Sequence, residues 1–233
     1  MDPHKRIFCA LDTADLTEAR KIAMALKGTV GGFKLGKEFF TANGPQGIAA
    51  IEKIGLPIFL DLKFHDIPNT VAGAVRSAAL TNCLMTTIHA SGGSEMIAAA
   101  IKGTSFGKPK VLAVTVLTSL NSNNLAEIGV SNSVNEQVLM LSKLALKHGA
   151  DGIVASPNEI RMLREELGRD FIIMVPGIRP DWAKQNDQKR TMSPADAIKA
   201  GADYLVIGRP ITTASNPSEA AERIAHEIEH YAI

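Results

Sequence analysis

Apolar residues along the chain fall into two alternating kinds of segment. Short runs rich in Val, Ile and Phe occur at IFCAL (7–11), GGFKL (31–35), IFLDLK (58–63), MTTIHA (85–90), VLAVTVL (111–117), GIVAS (152–156), FIIMV (171–175) and YLVIG (204–208). Between them lie segments such as DLTEARKIAMALK, NTVAGAVRSAAL, SEMIAAAIKG, VNEQVLMLSKLALKHG and PADAIKAG. Their apolar residues recur at three- and four-residue intervals, with glycine just past several ends. The first pattern is that of buried strands, the second that of amphipathic helices closed by glycine. Strands joined through helices pair in parallel, and eight such units predict a (β/α)8 TIM barrel of the α/β class. A doubly wound open sheet is the alternative with the same alternation. No Pro/Ser-rich linker, low-complexity tract or composition break divides the chain, so a single domain is expected over residues 1–233.

Composition narrows the function more than the fold. The 233 residues are 45% hydrophobic and 21% charged, an ordinary globular balance at a length that suits one barrel. Formal net charge is +1 and no long basic run occurs, so neither nucleic acid nor a membrane surface has electrostatic support as a partner. A small-molecule partner is expected instead. Cys9 and Cys83 lie far apart without CxxC or histidine spacing, which argues against a disulfide framework or a zinc site and for reduced, buried thiols. The start MDPHKRIFCALD has only five apolar residues in a row, too few for a signal peptide, and no run approaches a membrane span. A cytoplasmic location is therefore expected.

In a barrel of this kind the active site gathers at the C-terminal ends of the strands, so a charged residue closing an apolar run is a candidate. Asp12 closes the first run, Lys34 stands near the end of the second, and Asp61 and Lys63 close the third, in FLDLKFHDIPNT. Asp61 and Lys63 are two apart on a strand and face one side, with Leu60 and Leu62 on the other; Asp66 follows past the strand. Burying such charges costs several kcal/mol each unless they are paired, so an alternating set of Lys34, Asp61, Lys63 and Asp66 is the stable arrangement. Such a set can donate a proton and still repel an anion. A salt bridge that merely closes one end of the barrel is the competing reading.

The second informative region is FIIMVPGIRPDWAKQNDQKRTMSP, followed after one helix by YLVIGRPIT. Loops after the seventh and eighth strands of a barrel commonly bind phosphate through backbone amides and a helix N-terminus. Arg209 follows Gly208 there, so a guanidinium and exposed amides can grip one phosphate together. Arg179 and Gln188 flank a polar loop long enough to act as a lid.

Three other signals are weak. GGFKLGKE (31–38) has the GxxxxGK spacing of a phosphate-binding P-loop, but Glu38 stands where a metal-binding Ser or Thr is required. His65 and His89 lack neighbours at metal-ligand spacing, so packed or hydrogen-bonded histidines are expected and no metal site. The absence of GxGxxG leaves a nicotinamide or flavin without support.

FLDLKFHDIPNT, with LD (11–12), FKLG (33–36), LTS (117–119), VPGIRP (175–180), DQKR (187–190) and GRPIT (208–212), closely resembles the bacterial orotidine 5′-phosphate decarboxylases over nearly the whole chain. DxKxxD alone is shared with sugar-phosphate decarboxylases and aldolases of the same barrel suprafamily. A magnesium-dependent enzyme of that group, with Asp61 and Asp66 around the metal, is the alternative. The resemblance implies loss of CO2 from orotidine 5′-phosphate to give UMP in pyrimidine biosynthesis, with no metal or organic cofactor. It implies a network of Lys34, Asp61, Lys63 and Asp66, with Lys63 as proton donor. It also implies a homodimer in which Asp66, Ile67 and Thr70 cross to the neighbouring subunit's site. Asp12 would bind the ribose hydroxyls and Thr118 the pyrimidine. Arg179, Gln188, Gly208 and Arg209 would hold the 5′-phosphate and its lid.

Overall fold

Every expected apolar run becomes a strand in the computed structural model, which describes residues 1–105, 107–183 and 191–231. The first half alternates β1 (Ile7–Ala10), α1 (Leu16–Ala25), β2 (Gly32–Gly36), α2 (Lys37–Glu52), β3 (Ile58–Phe64), α3 (Pro68–Ala79), β4 (Met85–His89) and α4 (Gly93–Lys102). The second half continues with β5 (Lys110–Val114), α5 (Ser122–Glu127), α6 (Val134–Lys147), β6 (Gly152–Val154), α7 (Ile160–Leu167) and β7 (Ile172–Val175). It closes with α8 (Pro194–Ala200), β8 (Tyr204–Ile207), α9 (Arg209–Thr212) and α10 (Pro217–Tyr231). The strands pair in sequence order, all parallel, and β8 returns to β1 with Cys9 opposite Ile207. That pairing closes the barrel and removes the open doubly wound sheet.

Local chemistry explains the helix boundaries. Asp15 caps α1 by accepting the Thr17 and Glu18 N–H groups at 2.7 and 3.2 Å. Ser133 and Glu136 form a reciprocal capping box at the start of α6, and Ser193 caps α8 just before Pro194. These are the residue types that satisfy the orphan N–H groups of a helix start. Gly201 ends α8 at φ +118°, in the left-handed region where glycine costs least. Helix α2, which the periodicity does not announce, bends where Gly44 takes φ +57° before Pro45.

Two apolar layers follow from the two-residue period of the strands. Ile7, Cys9, Phe33, Leu35, Ile58 and Leu60 face outward and pack under the helices. Phe8, Ala10, Phe59, Met85, Leu112, Met174 and Val206 fill the barrel interior, where Phe8 and Phe59 meet edge to face at 6.3 Å. Each large side chain buried this way contributes roughly 1.5–3 kcal/mol. At the N-terminal end of the barrel, Asp203 joins the Arg164 guanidinium and the Ile173 N–H, both at 2.7 Å. Asp151 joins Lys110 and the Val111 N–H there, both at 2.9 Å. These pairs tie strand starts together, which leaves the charges at the opposite end facing a cavity.

No helix among the described residues is long and apolar enough to cross a membrane.

Candidate active site

The inward rows on β1 and β3 turn from apolar to polar as they reach the C-terminal mouth. Phe8 and Ala10 are followed in phase by Asp12, Phe59 by Asp61 and Lys63, and Val206 by Gly208. Lys34 projects inward from β2 between the outward-facing Phe33 and Leu35. The polar ends surround a cavity of about 450 Å³, the size of a small-molecule site. Its apolar wall includes Val114, Val154 and Val206.

Four of the expected charges form two short ion pairs. Lys34 Nζ lies 2.7 Å from Asp12 Oδ1, and Lys63 Nζ lies 2.7 Å from Asp61 Oδ2. The Lys63–Asp61 pair is 24% and 12% exposed, so partial removal from water strengthens it, whereas the 11%-exposed Lys34 meets an Asp12 that is 53% exposed and screened. Lys34 stands beside Ala10 of β1 and Phe59 of β3, one inward step below both Asp12 and Asp61, and it meets Asp12 while the two Asp61 oxygens are taken by Thr87 and Lys63. A Cβ at Gly36 would sit 3.0 Å from Lys34 Nζ and 3.1 Å from Asp12 Oδ1, so a glycine there leaves room for this pair.

Backbone geometry sets Lys63 apart. β3 advances four positions, from Leu60 to Phe64, while β4 advances two, from Thr86 to Ile88. The extra length is a bulge at Asp61–Lys63, a device that re-aims side chains beside active sites. Lys63 takes φ +52°, which is unfavourable for a residue with a Cβ and persists only when its surroundings hold it. The Lys63 N–H donates to Thr87 Oγ1 at 2.8 Å, and the Thr87 hydroxyl donates to Asp61 Oδ1 at 2.9 Å. Sequence reasoning passed over Thr87. The signal was available, since in MTTIHA the inward Met85 places Thr87 and His89 on the same face.

His89 ends β4 with its ring 5.4 Å from that of His65. Burial pushes the His89 imidazole down to about 4, and the neighbouring His65, Lys37 and Lys63 add to this, so it is neutral near pH 7. Cys9 and Cys83 are buried free thiols, and burial pushes both upward. Among the described residues no group of three or more His, Cys, Asp or Glu side chains is placed to hold a metal ion. The P-loop spacing at 31–38 has a packing cause: a Cβ on Gly31 would strike the Lys5 carbonyl, and Gly36 leads straight into α2.

Arg179, Gly208 and Arg209 line the same cavity, together with Pro176, Gly177 and Thr212. They follow β7 and β8, while the Asp61–Lys63 pair is carried by β3, four strands from β7 around the barrel. The base of the loop after β7 is tied by a bridge between Ile178 and Met192, with the Arg179 N–H donating to the Met192 carbonyl at 3.0 Å. Gln188 lies outside the described residues. Thr118 lines the cavity from the loop after β5, which leaves the barrel at Val114 instead of running to Leu117.

Asp66, Ile67 and Thr70 are exposed and do not line the cavity within one chain. Asp66 Oδ1 accepts the Ile67 N–H at 2.7 Å, and Pro68 then starts α3. Ile67 is 68% exposed.

Comparison with known proteins brings the geometry together with ancestry. The model of the orotidine 5'-phosphate decarboxylase / HUMPS family matches residues 5–224. An orotidine 5'-phosphate decarboxylase of Paramagnetospirillum magneticum is 49% identical over 229 residues, covering 95% of this chain and 97% of the relative. One from Geotalea daltonii is 50% identical over 230 residues, covering 96% and 95%. The crystal structure of orotidine 5'-phosphate decarboxylase from Lactobacillus acidophilus superposes with a TM-score of 0.85 at 40% identity, over 95% of this chain and 98% of that one.

Proposed function

Because this chain belongs to the orotidine 5'-phosphate decarboxylase / HUMPS family, we propose that its cavity converts orotidine 5′-phosphate to UMP and CO2. The observation that carries the reading is the Lys63–Asp61 pair at 2.7 Å, set in the cavity that Arg179 and Arg209 also line. Arg179, Gly208 and Arg209 take the 5′-phosphate, and Gln188 is proposed for the same role by resemblance. Asp12 and Lys34 meet the ribose hydroxyls, and Thr118 meets the pyrimidine. The substrate carboxylate then faces Asp61.

The bond from ring carbon C6 to the carboxylate breaks, CO2 leaves, and the electron pair stays on C6. The Lys63 ammonium stabilises that charge as it forms and transfers one proton to C6, giving UMP and a neutral lysine that regains its proton from solvent. Asp61 disfavours the bound carboxylate relative to the transition state, so the pair favours the step from both sides. The phosphate is remote from the broken bond, and its binding energy goes into assembling the site.

The site is completed by a second copy of the chain. In a two-fold homodimer the exposed Asp66, Ile67 and Thr70 of one subunit reach the partner's cavity and extend the Lys34, Asp61 and Lys63 network. The whole chain, 1–233, acts as one domain in the cytoplasm.

The magnesium-dependent alternative needs Asp61 oxygens for the metal. Here Oδ1 accepts Thr87 and Oδ2 pairs with Lys63. Turnover distinguishes the two. Purified protein incubated with orotidine 5′-phosphate and EDTA should form UMP at an undiminished rate, followed by the ultraviolet change of the pyrimidine. Activity lost in EDTA and restored by Mg²⁺ would favour the metal-dependent lyase.

A further inference from the structure

We propose that Thr87 is a positioning residue for decarboxylation, holding Lys63 and Asp61 in register through one hydroxyl. This rests on the assignment of Lys63 as proton donor and extends it to a residue on the next strand. The bulge supplies the argument. Where β3 carries Asp61, Leu62 and Lys63, β4 offers only Thr87 between the paired Thr86 and Ile88. The ladder cannot serve every backbone group on the longer side, and a buried N–H left alone is costly.

The side chain of Thr87 takes that place. Its oxygen accepts the Lys63 N–H, and its proton goes to Asp61 Oδ1. With Asp61 Oδ2 on Lys63 Nζ, a closed ring of three hydrogen bonds joins the lysine backbone, the threonine, the aspartate and the lysine ammonium. With the Lys63 N–H on its oxygen, the hydroxyl directs its own proton to Asp61 Oδ1. The hydroxyl therefore holds the φ +52° backbone of Lys63 and the rotation of the Asp61 carboxylate together. Thr87 is fully buried and has no place in the cavity lining, so its effect passes through these two residues.

The test compares wild type, Thr87→Val, Thr87→Ser and Lys63→Ala. Valine keeps the shape and removes both hydrogen bonds; serine restores them. Thr87→Val should lower kcat roughly 10- to 100-fold, as expected for losing hydrogen bonds to a catalytic charge pair. UMP affinity, measured by calorimetry, should stay within about threefold, since the groups that hold the nucleotide are untouched. Thr87→Ser should recover to within about threefold of wild-type kcat. A role in stability alone would lower Tm and leave the kcat of the folded fraction unchanged.

If Thr87→Val does not fold, Thr87→Ala read by the same two measurements decides. Wild-type kcat in the valine or alanine variant, beside an inactive Lys63→Ala, would overturn the positioning role and leave the Lys63 assignment standing. Equal losses in kcat and UMP affinity, or no recovery with serine, would overturn it too. A Lys63→Ala variant as active as wild type would overturn the assignment itself.

Discussion

Lys63→Ala should abolish decarboxylation while UMP still binds. The side chain removed acts on negative charge that exists at C6 only as CO2 departs, so the loss falls on kcat rather than on ground-state affinity. General acid catalysis alone is typically worth ~10²- to 10⁴-fold, and in the proposed mechanism Lys63 would also stabilise the charge before transferring the proton. Steady-state turnover and UMP binding by calorimetry measure both halves. Retention of more than about one percent of kcat would count against Lys63 as the acid. The substitution also frees Asp61 Oδ2, while Oδ1 keeps its bond to Thr87, so the carboxylate remains placed.

The second large effect concerns Asp66. If the proposed shared site holds, Asp66→Asn should be inactive, since it would remove a charge from that network. An asparagine oxygen can still accept the Ile67 N–H that Asp66 now accepts, so the turn before α3 is kept. In the proposed two-fold dimer each site would take Lys63 from one subunit and Asp66 from the other. When Lys63→Ala and Asp66→Asn chains exchange subunits, one site of a mixed dimer carries both lesions and the other carries neither. Random exchange of equal amounts makes about half the dimers mixed and half of their sites intact, so activity should return to about one quarter of wild type. Exchange is verified by mass spectrometry on differently tagged chains. If exchange is complete and activity stays at the level of the parents, Asp66 serves its own subunit and the shared-site model is wrong.

How far the sequence could be read depended on whether a feature is local. The barrel was legible because each strand is a short apolar run and the segments between carry the three- and four-residue period of helices, with glycine past several ends. The positions of Asp61 and Lys63 at the mouth were legible because a charge in phase with buried Phe59 has one direction to point. Pairing between strands was not. Lys34 stands beside both Ala10 of β1 and Phe59 of β3, and no property of the lysine announces that its ammonium meets Asp12. Thr87 was missed for the same reason: threonine is an ordinary strand residue, and its task exists only because β3 outruns β4 beside it. The end of β5 was overextended because Val116 and Leu117 are as apolar as the strand, yet they turn to form the cavity wall with Thr118. Helix α2 was hidden by Gly44 and Pro45, which interrupt its period at the bend.

The claim that Lys63 delivers a proton to C6 has a direct measurement in the reverse direction. A group that protonates C6 on the forward path must remove the C6 hydrogen of bound UMP on the return path, and its ammonium hydrogens exchange with solvent. Wild type and Lys63→Ala, each saturated with UMP in D2O, are followed by proton NMR of the C6 position. Wild type should lose the C6 signal with time as deuterium replaces it, and Lys63→Ala should keep it although the nucleotide is bound. Loss of the C6 signal at the same rate in both proteins would contradict the account.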